Sequence, residues 1–451
     1  MFGVSLLWAL AAPPAPAGPK TELEFGARMV VRPEARANAT LGTQPQDEEW
    51  RVRQSARIHG GARYGPLRAV VQLQDVRQWG DGSSTLSDDP FTGAHQAFGE
   101  VGRARSEDEP RQLSGYLRVG RQEVALWQSR LIGVRPWQPA NQALNAVRGR
   151  IDYGRFGFEV AGAILDAPGT LTFGDDTTTT TLRTSGELMA WSEVSMAVRP
   201  AFTAHAGVIG LRRDATLADP TRDQRIATPG LYLHGVPWGG LDYDVEGYAQ
   251  VGRTDDQRHL AWLASAAVGY TFDIATKPGL RLEYSVASGS ACEGDPDAGD
   301  ACQGGTVRDF EQHYGNRHGI RGFADLFALT NVRDLHARAS LDPDPMVTLW
   351  VDYHWLQLHE STGRWINTGG RPAGSVAWDP TNTQNTVGHE VDLLATFKPW
   401  KPLSMRPGYS VFIPTGAGRT LGGDQALHFV YLWLVLDIRG RWSPGAEPVR
   451  K

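Results

Sequence analysis

Three arginines and a histidine follow a two-residue period in the stretch EWRVRQSARIHGG, residues 49–61. Arg51, Arg53, Arg57 and His59 occupy odd positions, and the even positions are mostly apolar. Successive side chains of a β-strand point to opposite faces, so an extended conformation would put these groups on one face. A guanidinium group binds a carboxylate through two parallel hydrogen bonds. One face of this strand could therefore bind an acidic ligand.

The stretch alone does not decide where that face points. A soluble sheet with one wet face would place the arginines in bulk water and the apolar side chains on a core. A membrane barrel would place the apolar face in lipid and the arginines in a lumen. The remaining chain has to distinguish these two structures.

Composition favours arginine over lysine. The chain has 451 residues, a net charge of −5 and 45 basic residues, of which only five are lysine. This charge is too small to indicate a nucleic-acid partner. The arginine excess suits an acidic polymer, although GC-rich codon usage explains it equally well. Outside the N-terminus, no run of about 18 apolar residues predicts a membrane helix.

The two ends and the cysteines give further expectations. Residues 1–17 contain an apolar run followed by Ala-Pro-Ala and are predicted to be a signal peptide, which makes the chain an exported one. Cys292 and Cys302 lie in one polar segment and are predicted to form a local disulfide. The intervening DPDAGD resembles a calcium loop, but its glycine is misplaced for an EF-hand, so we expect no metal ion.

Alternation and turn signals predict eighteen strands and no convincing amphipathic helix. They are expected near residues 24–37, 49–61, 65–79, 95–104, 114–125, 145–153, 156–165, 187–199, 201–212, 229–238, 241–253, 260–273, 278–289, 328–340, 346–359, 388–398, 402–413 and 427–439. Long polar connections alternate with tight turns, with exceptions at ARSEDEPRQLSG and TDDQR. Outer-membrane barrels show this asymmetry, with long extracellular loops and short periplasmic turns.

These features predict an all-β fold, a single closed antiparallel transmembrane β-barrel of about 18 strands. A sheet in lipid must close because its backbone groups find no water there. A charge at mid-membrane on the lipid face costs about 2 to 4 kcal/mol, so the arginines of residues 49–61 should face the lumen. By the same alternation, Arg281 should share the lumen face with the acid Glu283.

Four segments spread along the chain resemble the alginate export family of outer-membrane barrels. They are AVVQLQDVRQWG (69–80), YLRVGRQEVALWQSRLIGVRPW (116–137), GFADLFALTNVRDLHARA (322–339) and HEVDLLATFKPWKPLSMRPGYSVF (389–412), followed by an aromatic last strand. The resemblance implies a monomeric barrel of eighteen strands in the bacterial outer membrane, with an arginine-lined constriction that passes a polyanionic uronate polymer. It extends the candidate pore-lining residues to Asp75, Arg77, Arg121, Arg130, Arg148 and Arg150.

The predicted domains are the signal peptide, a barrel over residues 18–440 and a tail over residues 441–451. The predicted function is an anion-selective channel that exports an acidic polysaccharide such as alginate. Many weak, exchangeable arginine sites would attract the polymer and still release it. Lumen acids are expected to pair with the arginines and set the aperture; the candidates are Asp75, Asp152, Glu283 and Asp352.

Other functions stay open at this stage. The first is a general or small-solute anion porin, for which small anions are the partners. The second is a phospholipase-like barrel enzyme, suggested by His359 and Ser361, because a histidine can activate a serine nucleophile. A soluble secreted β protein is a third. We expect no cofactor and no nucleic acid; outer-membrane lipid and periplasmic export components are the remaining candidate partners.

Overall fold

The structure is a computed structural model. It describes residues 21–43, 48–80, 91–103, 112–166, 169–174, 179–184, 186–199, 201–214, 223–293 and 305–443. The predicted signal peptide and Cys302 lie outside the described residues, as does most of the predicted tail.

The described chain forms 21 strands and one six-residue helix. Eighteen of the strands, all except β8, β9 and β16, build a single antiparallel barrel. In chain order the elements are β1 (Thr21–Ala37), β2 (Glu49–Tyr64), β3 (Leu67–Trp79), β4 (Phe91–Arg103), β5 (Ser114–Gln122), β6 (Leu144–Tyr153), β7 (Phe156–Asp166), β8 (Gly169–Gly174), β9 (Thr179–Thr184), β10 (Glu187–Arg199), β11 (Phe202–Arg213), β12 (Gln224–Trp238), β13 (Leu241–Thr254), β14 (Gln257–Thr271), β15 (Gly279–Ala287), β16 (Thr306–Val307), β17 (Val332–Asp344), β18 (Val347–Leu358), β19 (Thr386–Trp400), β20 (Leu403–Pro414), α1 (Ala417–Gly422) and β21 (Leu427–Trp442).

The sheet closes because its first and last strands pair. β1 and β21 run antiparallel from Leu23↔Trp442 to Ala37↔His428. Consecutive barrel strands pair all the way round, so the barrel strands that the structure describes leave no open edge. All eighteen predicted strands are present with small shifts of their ends, which confirms the predicted fold. β21 continues to Trp442, two residues into the predicted tail.

Apolar side chains form the outer surface. On β14 the outward positions include Trp262, Val268 and Tyr270, and between them lie buried inward positions such as Leu263. The same alternation on β7 exposes Phe158 and places small or polar residues inside. One face thus suits hydrocarbon and the other encloses the lumen.

The two ends of the barrel differ. At one end most strands are joined by tight turns, such as residues 65–66 and 154–155, whereas the connection between β4 and β5 is longer, as the sequence indicated. At the other end the connections are long, apart from the two-residue turn 255–256 between β13 and β14. The long-loop end faces the cell exterior in barrels of this type. Among the described residues, no helix is long and apolar enough to cross a membrane.

Candidate functional site: the lumen and its inner loops

Two long connections fold into the barrel instead of extending away from it. We call residues 123–143 inner loop A and residues 305–331 inner loop B. They join side by side through a parallel bridge between Ile132 and Tyr314. The Tyr314 amide donates to the Leu131 carbonyl at 2.9 Å, and the Gly133 amide donates to the Tyr314 carbonyl at 3.1 Å. Loop residues that are themselves bonded to one another can narrow the lumen as one unit.

Arg130 fixes inner loop A to the far wall. Its Nε donates to Glu246 Oε2 of β13 at 2.8 Å, and its Nη2 donates to Ser265 Oγ of β14 at 3.1 Å and to Glu283 of β15. The guanidinium group is almost completely buried. Burial alone would lower the pKa of Arg130, but Glu283 and Glu246 raise it above its usual range. The predicted candidate Arg130 therefore holds the loop in place and is not an exposed site for a passing anion.

Trp137 fixes the other side of inner loop A. The Arg32 guanidinium carbon of β1 lies 3.5 Å from the Trp137 ring centroid, and Arg32 Nη1 donates to the Trp137 carbonyl at 2.7 Å. The ring of His318, from inner loop B, stacks on Trp137 at 3.6 Å between centroids. A cation over an indole face is attracted by the ring quadrupole. The loop is thus attached to two separated parts of the wall.

The arginines of residues 49–61 face the lumen, as predicted. Arg51 and Arg53 of β2 both contact one carboxylate, Glu34 of β1, at 2.7 and 3.1 Å. Arg32 contacts the same carboxylate at 3.0 Å. One glutamate serves three guanidinium groups here, and Arg51 has a second acid in Glu49 at 3.1 Å. The arginines keep a surplus of positive charge at this point.

Arg57 and His59 continue the cationic face toward the short-turn end. Arg57 is buried, donates to Gln74 Oε1 of β3 at 3.2 Å, and lies 3.7 Å from Glu123 of inner loop A. His59 lines a cavity of about 760 Å³ below inner loop A, together with Arg57 and Arg28. Basic side chains outnumber acidic ones in the wall of this cavity.

The predicted arginines of β6, Arg148 and Arg150, also face the lumen, but they are more fully paired with carboxylates than the arginines of β2. Arg148 Nη2 donates to Glu159 Oε2 at 2.8 Å, and Arg150 Nη2 donates to Asp152 Oδ1 at 2.8 Å. A further contact links Arg150 to Glu159 at 3.8 Å. These predicted residues form a polar network in the wall rather than a set of exposed cations.

The remaining lumen predictions are on the other side of the barrel. Arg281 of β15 donates to Asp242 and Asp244 of β13. The predicted acid Glu283 accepts from Arg130, as described above. Asp352 of β18 accepts two hydrogen bonds from Arg338 at 2.6 and 2.7 Å.

Three predicted residues are on the wrong face, and the structure corrects them. Asp75 and Arg77 of β3 share the outer face with Leu73, and Arg121 of β5 shares it with Val119. Arg77 Nε donates to Asp75 Oδ1 at 2.8 Å outside the barrel. All three lie within the last few residues of their strands at the long-loop end, where a charge on the lipid side costs little.

The alternation of side chains along the strands could have identified lumen-facing arginines that the sequence prediction missed. Arg28, Arg32 and Arg36 of β1 occupy even positions on either side of the exposed Met29, and all three face the lumen. Arg68 of β3 also faces inward and donates to Glu24 Oε1 at 2.6 Å. Period-2 spacing in RMVVRPEAR carries the same signal as residues 49–61. The inner loops carry no such signal, because irregular segments have no period.

The lumen charges divide into two groups, which we name here. The basic wall consists of the lumen-facing arginines of β1 to β3: Arg28, Arg32, Arg36, Arg51, Arg53, Arg57, Arg63 and Arg68. The acidic wall consists of the lumen-facing acids of β13, β15 and β17 to β19: Asp242, Asp244, Glu246, Glu283, Asp334, Asp352, Glu390 and Asp392.

The inner loops themselves carry buried arginines. Burial and the neighbouring Arg130 lower the pKa of Arg321 to about 9, and the opposing effects of Asp334 and Glu283 only partly offset them. Burial likewise lowers the pKa of Arg135 in inner loop A to about 10. Arg135 Nε donates to the Gly315 carbonyl at 2.9 Å and so links the two loops. These arginines bind backbone and loop rather than bulk solvent.

Residues 21–430 match the family model described as "Alginate export". The match covers most of the chain, and the barrel has the topology that the family resemblance implied. The chain belongs to the alginate export family. It is a β-barrel protein of the bacterial outer membrane. No curated protein matches the sequence.

Solved outer-membrane structures share the fold. OprD from Pseudomonas aeruginosa superposes with a TM-score of 0.58 at 13% identity, covering 94% of each chain. OccK11 (OpdR) from the same organism gives 0.57 at 12% identity, over 93% of this chain and 96% of that one. OccAB4 from Acinetobacter baumannii superposes with a TM-score of 0.56 at 9% identity, over 94% of this chain and 99% of that one. At this identity the comparison establishes the barrel fold alone.

Family and fold are those of channels, not enzymes. The proposed nucleophile motif has other contacts: His359 Nδ1 accepts from Arg333 Nε at 3.4 Å, and its Nε2 lies 3.8 Å from Glu360. The Ser361 carbonyl accepts from Asn382 Nδ2 at 2.6 Å. Cys292 is disulfide-bonded, and because Cys302 lies outside the described residues its pairing stays a prediction.

Proposed function

We propose that this outer-membrane channel is anion-selective and exports an acidic polysaccharide, with alginate as the candidate that the family suggests. The observation that supports the proposal is the shared carboxylate of Glu34, which contacts Arg32, Arg51 and Arg53. Glu34 and Glu49, the second acid of Arg51, carry two negative charges against three guanidinium groups. The basic wall therefore keeps a positive potential where it adjoins inner loop A.

The basic wall is suited to a polymer because its cations are repeated along the channel. Alternate residues of one strand lie about 7 Å apart, so arginines recur down β1 and β2 toward the short-turn end. Each carboxylate of an acidic chain could exchange one guanidinium partner for the next. Conduction requires such weak, repeated sites, since one tight site would stop the polymer.

The inner loops supply the second requirement, a narrow passage. Inner loop A packs closely on the basic wall, and the cavity left between them at Arg28, Arg53 and Trp137 has about 10 Å³, which is room for about one water molecule. Any solute that takes this route must lie against the arginines. Passage of a polymer would also require the loops to move.

The same narrow gap favours a second candidate, a channel for small anions. A carboxylate metabolite could pass the basic wall with smaller loop displacements than a polysaccharide. The sequence comparisons support the family and the fold, and both functions are consistent with them.

Planar bilayers distinguish the candidates. The proposal expects anion-selective currents that are blocked by polyuronates and unaffected by neutral glycans of matched length. Anion selectivity without polyuronate blockade would favour the small-anion channel. Cation selectivity in the unmodified protein would contradict both.

A further inference from the structure

A compact group of histidines and carboxylates lies on the acidic wall. His336 of β17 and His354 of β18 are direct cross-strand partners. Their rings stack with centroids 4.2 Å apart and planes 4° from parallel. Asp352 neighbours both on the lumen face of β18, and Asp392 faces Asp352 from β19. All four residues are buried.

The donor atoms of this group have the separations of metal ligands. One ligand atom from each of His336, Asp352 and His354 lies within 4.8 Å of the others. His336 Nε2 is 3.3 Å from Asp352 Oδ1, and His354 Nε2 is 3.9 Å from Asp392 Oδ2. In a tetrahedral site with ligand bonds of about 2.0 to 2.2 Å, neighbouring donors are about 3.4 Å apart. Small adjustments would bring these atoms onto one ion.

Surrounding residues already orient two of the donors. Asp334 accepts from His354 Nδ1 at 3.0 Å, which leaves His354 Nε2 directed toward Asp392. Arg338 holds Asp352 through two hydrogen bonds. A carboxylate behind the non-ligating nitrogen of a histidine is the usual support of a metal ligand.

The group also contains buried polar atoms that make no well-formed hydrogen bond. Asp392 is 0% exposed, and neither of its carboxylate oxygens makes a well-formed hydrogen bond. Such a carboxylate is costly to bury unless a cation or a proton compensates it. His336 Nε2 has Asp352 Oδ1 at 3.3 Å as its neighbour and makes no well-formed hydrogen bond. Both observations point to a cation between these side chains.

We propose that His336, Asp352, His354 and Asp392 bind one divalent metal ion of the zinc class on the lumen wall. Zinc is bound by imidazole nitrogen and carboxylate oxygen in four-coordinate sites, whereas calcium and magnesium take oxygen ligands. Two imidazoles and two carboxylates fit the first description. No bond to a thiolate is needed, and no group changes its oxidation state.

The ion would stabilise the wall beneath inner loop B. The Ala324 amide of that loop donates to Glu390 Oε1 at 2.7 Å, and Glu390 is two residues from Asp392 on the same face of β19. The two positive charges of the ion would offset part of the negative charge of the acidic wall. The site would thereby keep both the strand residues and the loop above them in one arrangement.

Zinc binding by the full chain tests the proposal. The protein is produced without a polyhistidine tag, folded in detergent, treated with a chelator and titrated with Zn²⁺ against a fluorescent competitor, with bound metal measured by mass spectrometry. We expect one zinc ion per chain. The double change His336→Ala with His354→Ala should abolish this binding.

The matched control is a second pair of lumen histidines. His205 of β11 and His234 of β12 also stack, at 5.7 Å, but belong to no group of metal-ligand geometry among the described residues. Replacing both by Ala should leave zinc binding unchanged. Equal loss of zinc in the two double variants would overturn the proposal, as would an unmodified protein that takes up no zinc.

A milder change keeps the test decisive if the double variant fails to fold. Asp334→Asn preserves shape but weakens the support of His354, and we expect zinc affinity to fall by about 10 to 100-fold. X-ray absorption at the zinc edge should show imidazole and oxygen neighbours at about 2.0 to 2.2 Å. Unchanged affinity in Asp334→Asn, or a spectrum without imidazole, would contradict the assignment.

Discussion

The basic and acidic walls carry opposite charges and are covered differently. On the acidic wall Glu246, Asp352 and Glu390 are almost inaccessible, because the inner loops and neighbouring strands pack over them. On the basic wall Arg32 and Arg57 are also buried, but Arg28 and Arg68 line the open cavity of about 760 Å³. A covered charge acts on the loop that covers it, whereas a charge beside water acts on a solute. The acidic wall therefore positions the loops, and in the proposed function the basic wall is the part that selects what passes.

The largest expected effect comes from breaking the contact between inner loop A and the acidic wall. Arg130→Ala leaves Glu246 and Glu283 buried without their common partner. Removing one member of a buried ion pair costs about 3 to 5 kcal/mol. Urea unfolding should show this loss, and single-channel conductance should rise because the loop is released.

Arg253→Ala is the control for this change. Arg253 is exposed on β13 and donates only to the Asp256 carbonyl at 3.2 Å among its described contacts. The stability and conductance of the Arg253→Ala protein should match those of the unmodified protein. A normal conductance in Arg130→Ala would show that the acidic wall does not position the loop.

Acidification should loosen inner loop B. His313 is buried there beside Thr228, and burial lowers its pKa to about 4, with Glu311 raising it and Arg213 and His259 lowering it. A released loop would return this pKa toward 6.5, so protons favour release. The closed loop is fully stable above pH 6.5 and loses about 3 kcal/mol as the pH falls to 4, at about 1.4 kcal/mol per pKa unit.

Conductance measured between pH 7 and pH 4 checks this expectation. The unmodified channel should open further on acidification. His313→Gln, which cannot take up the proton, should have a flatter profile. Identical profiles for the two proteins would assign the pH response to other groups.

A smaller effect is expected from Glu34→Gln. The change removes the shared acid of the basic wall and should increase anion selectivity, as read from the reversal potential in a salt gradient. It should also destabilise the barrel by about 1 to 3 kcal/mol, since Arg32 loses a buried charged acceptor. Decreased anion selectivity would show that the basic wall does not control the potential.

The smallest effect is expected outside the barrel. Asp75→Ala breaks the pair with Arg77 on the outer face, and surface ion pairs contribute about 0 to 1 kcal/mol. Unfolding in urea and the reversal potential should both stay near those of the unmodified protein. A changed reversal potential would return Asp75 to the lumen, where the sequence prediction had placed it.

The strands were predictable because lipid and lumen impose a strict period of two. In residues 49–61 that period puts Arg53 and Ile58 on opposite faces, and in the structure Arg53 faces the lumen and Ile58 the outside. The errors at Asp75, Arg77 and Arg121 arose because these residues were selected from the family resemblance and not from the two-residue period of their strands. Leu73, Asp75 and Arg77 lie on one face of β3, so the apolar Leu73 already indicated that the other two face outward.

The inner loops could not be predicted in the same way. The contacts of Arg130 with Glu246 and Glu283 join residues more than 100 positions apart, and no local pattern encodes them. The sequence therefore identified Arg130 as a pore residue but not as the anchor of a loop. Likewise His336 and His354 become neighbours only through the pairing register of β17 and β18.

The reversal potential of three proteins tests the basic wall most directly. The double change Arg53→Gln with Arg57→Gln removes two lumen cations, and Arg77→Gln removes an outer-face cation from β3, where Arg77 pairs with Gln54 beside Arg53. In a gradient of potassium chloride the unmodified protein and Arg77→Gln should be equally anion-selective, and the double variant should lose most of that selectivity. Equal selectivity in all three proteins, or a loss confined to Arg77→Gln, would contradict the account.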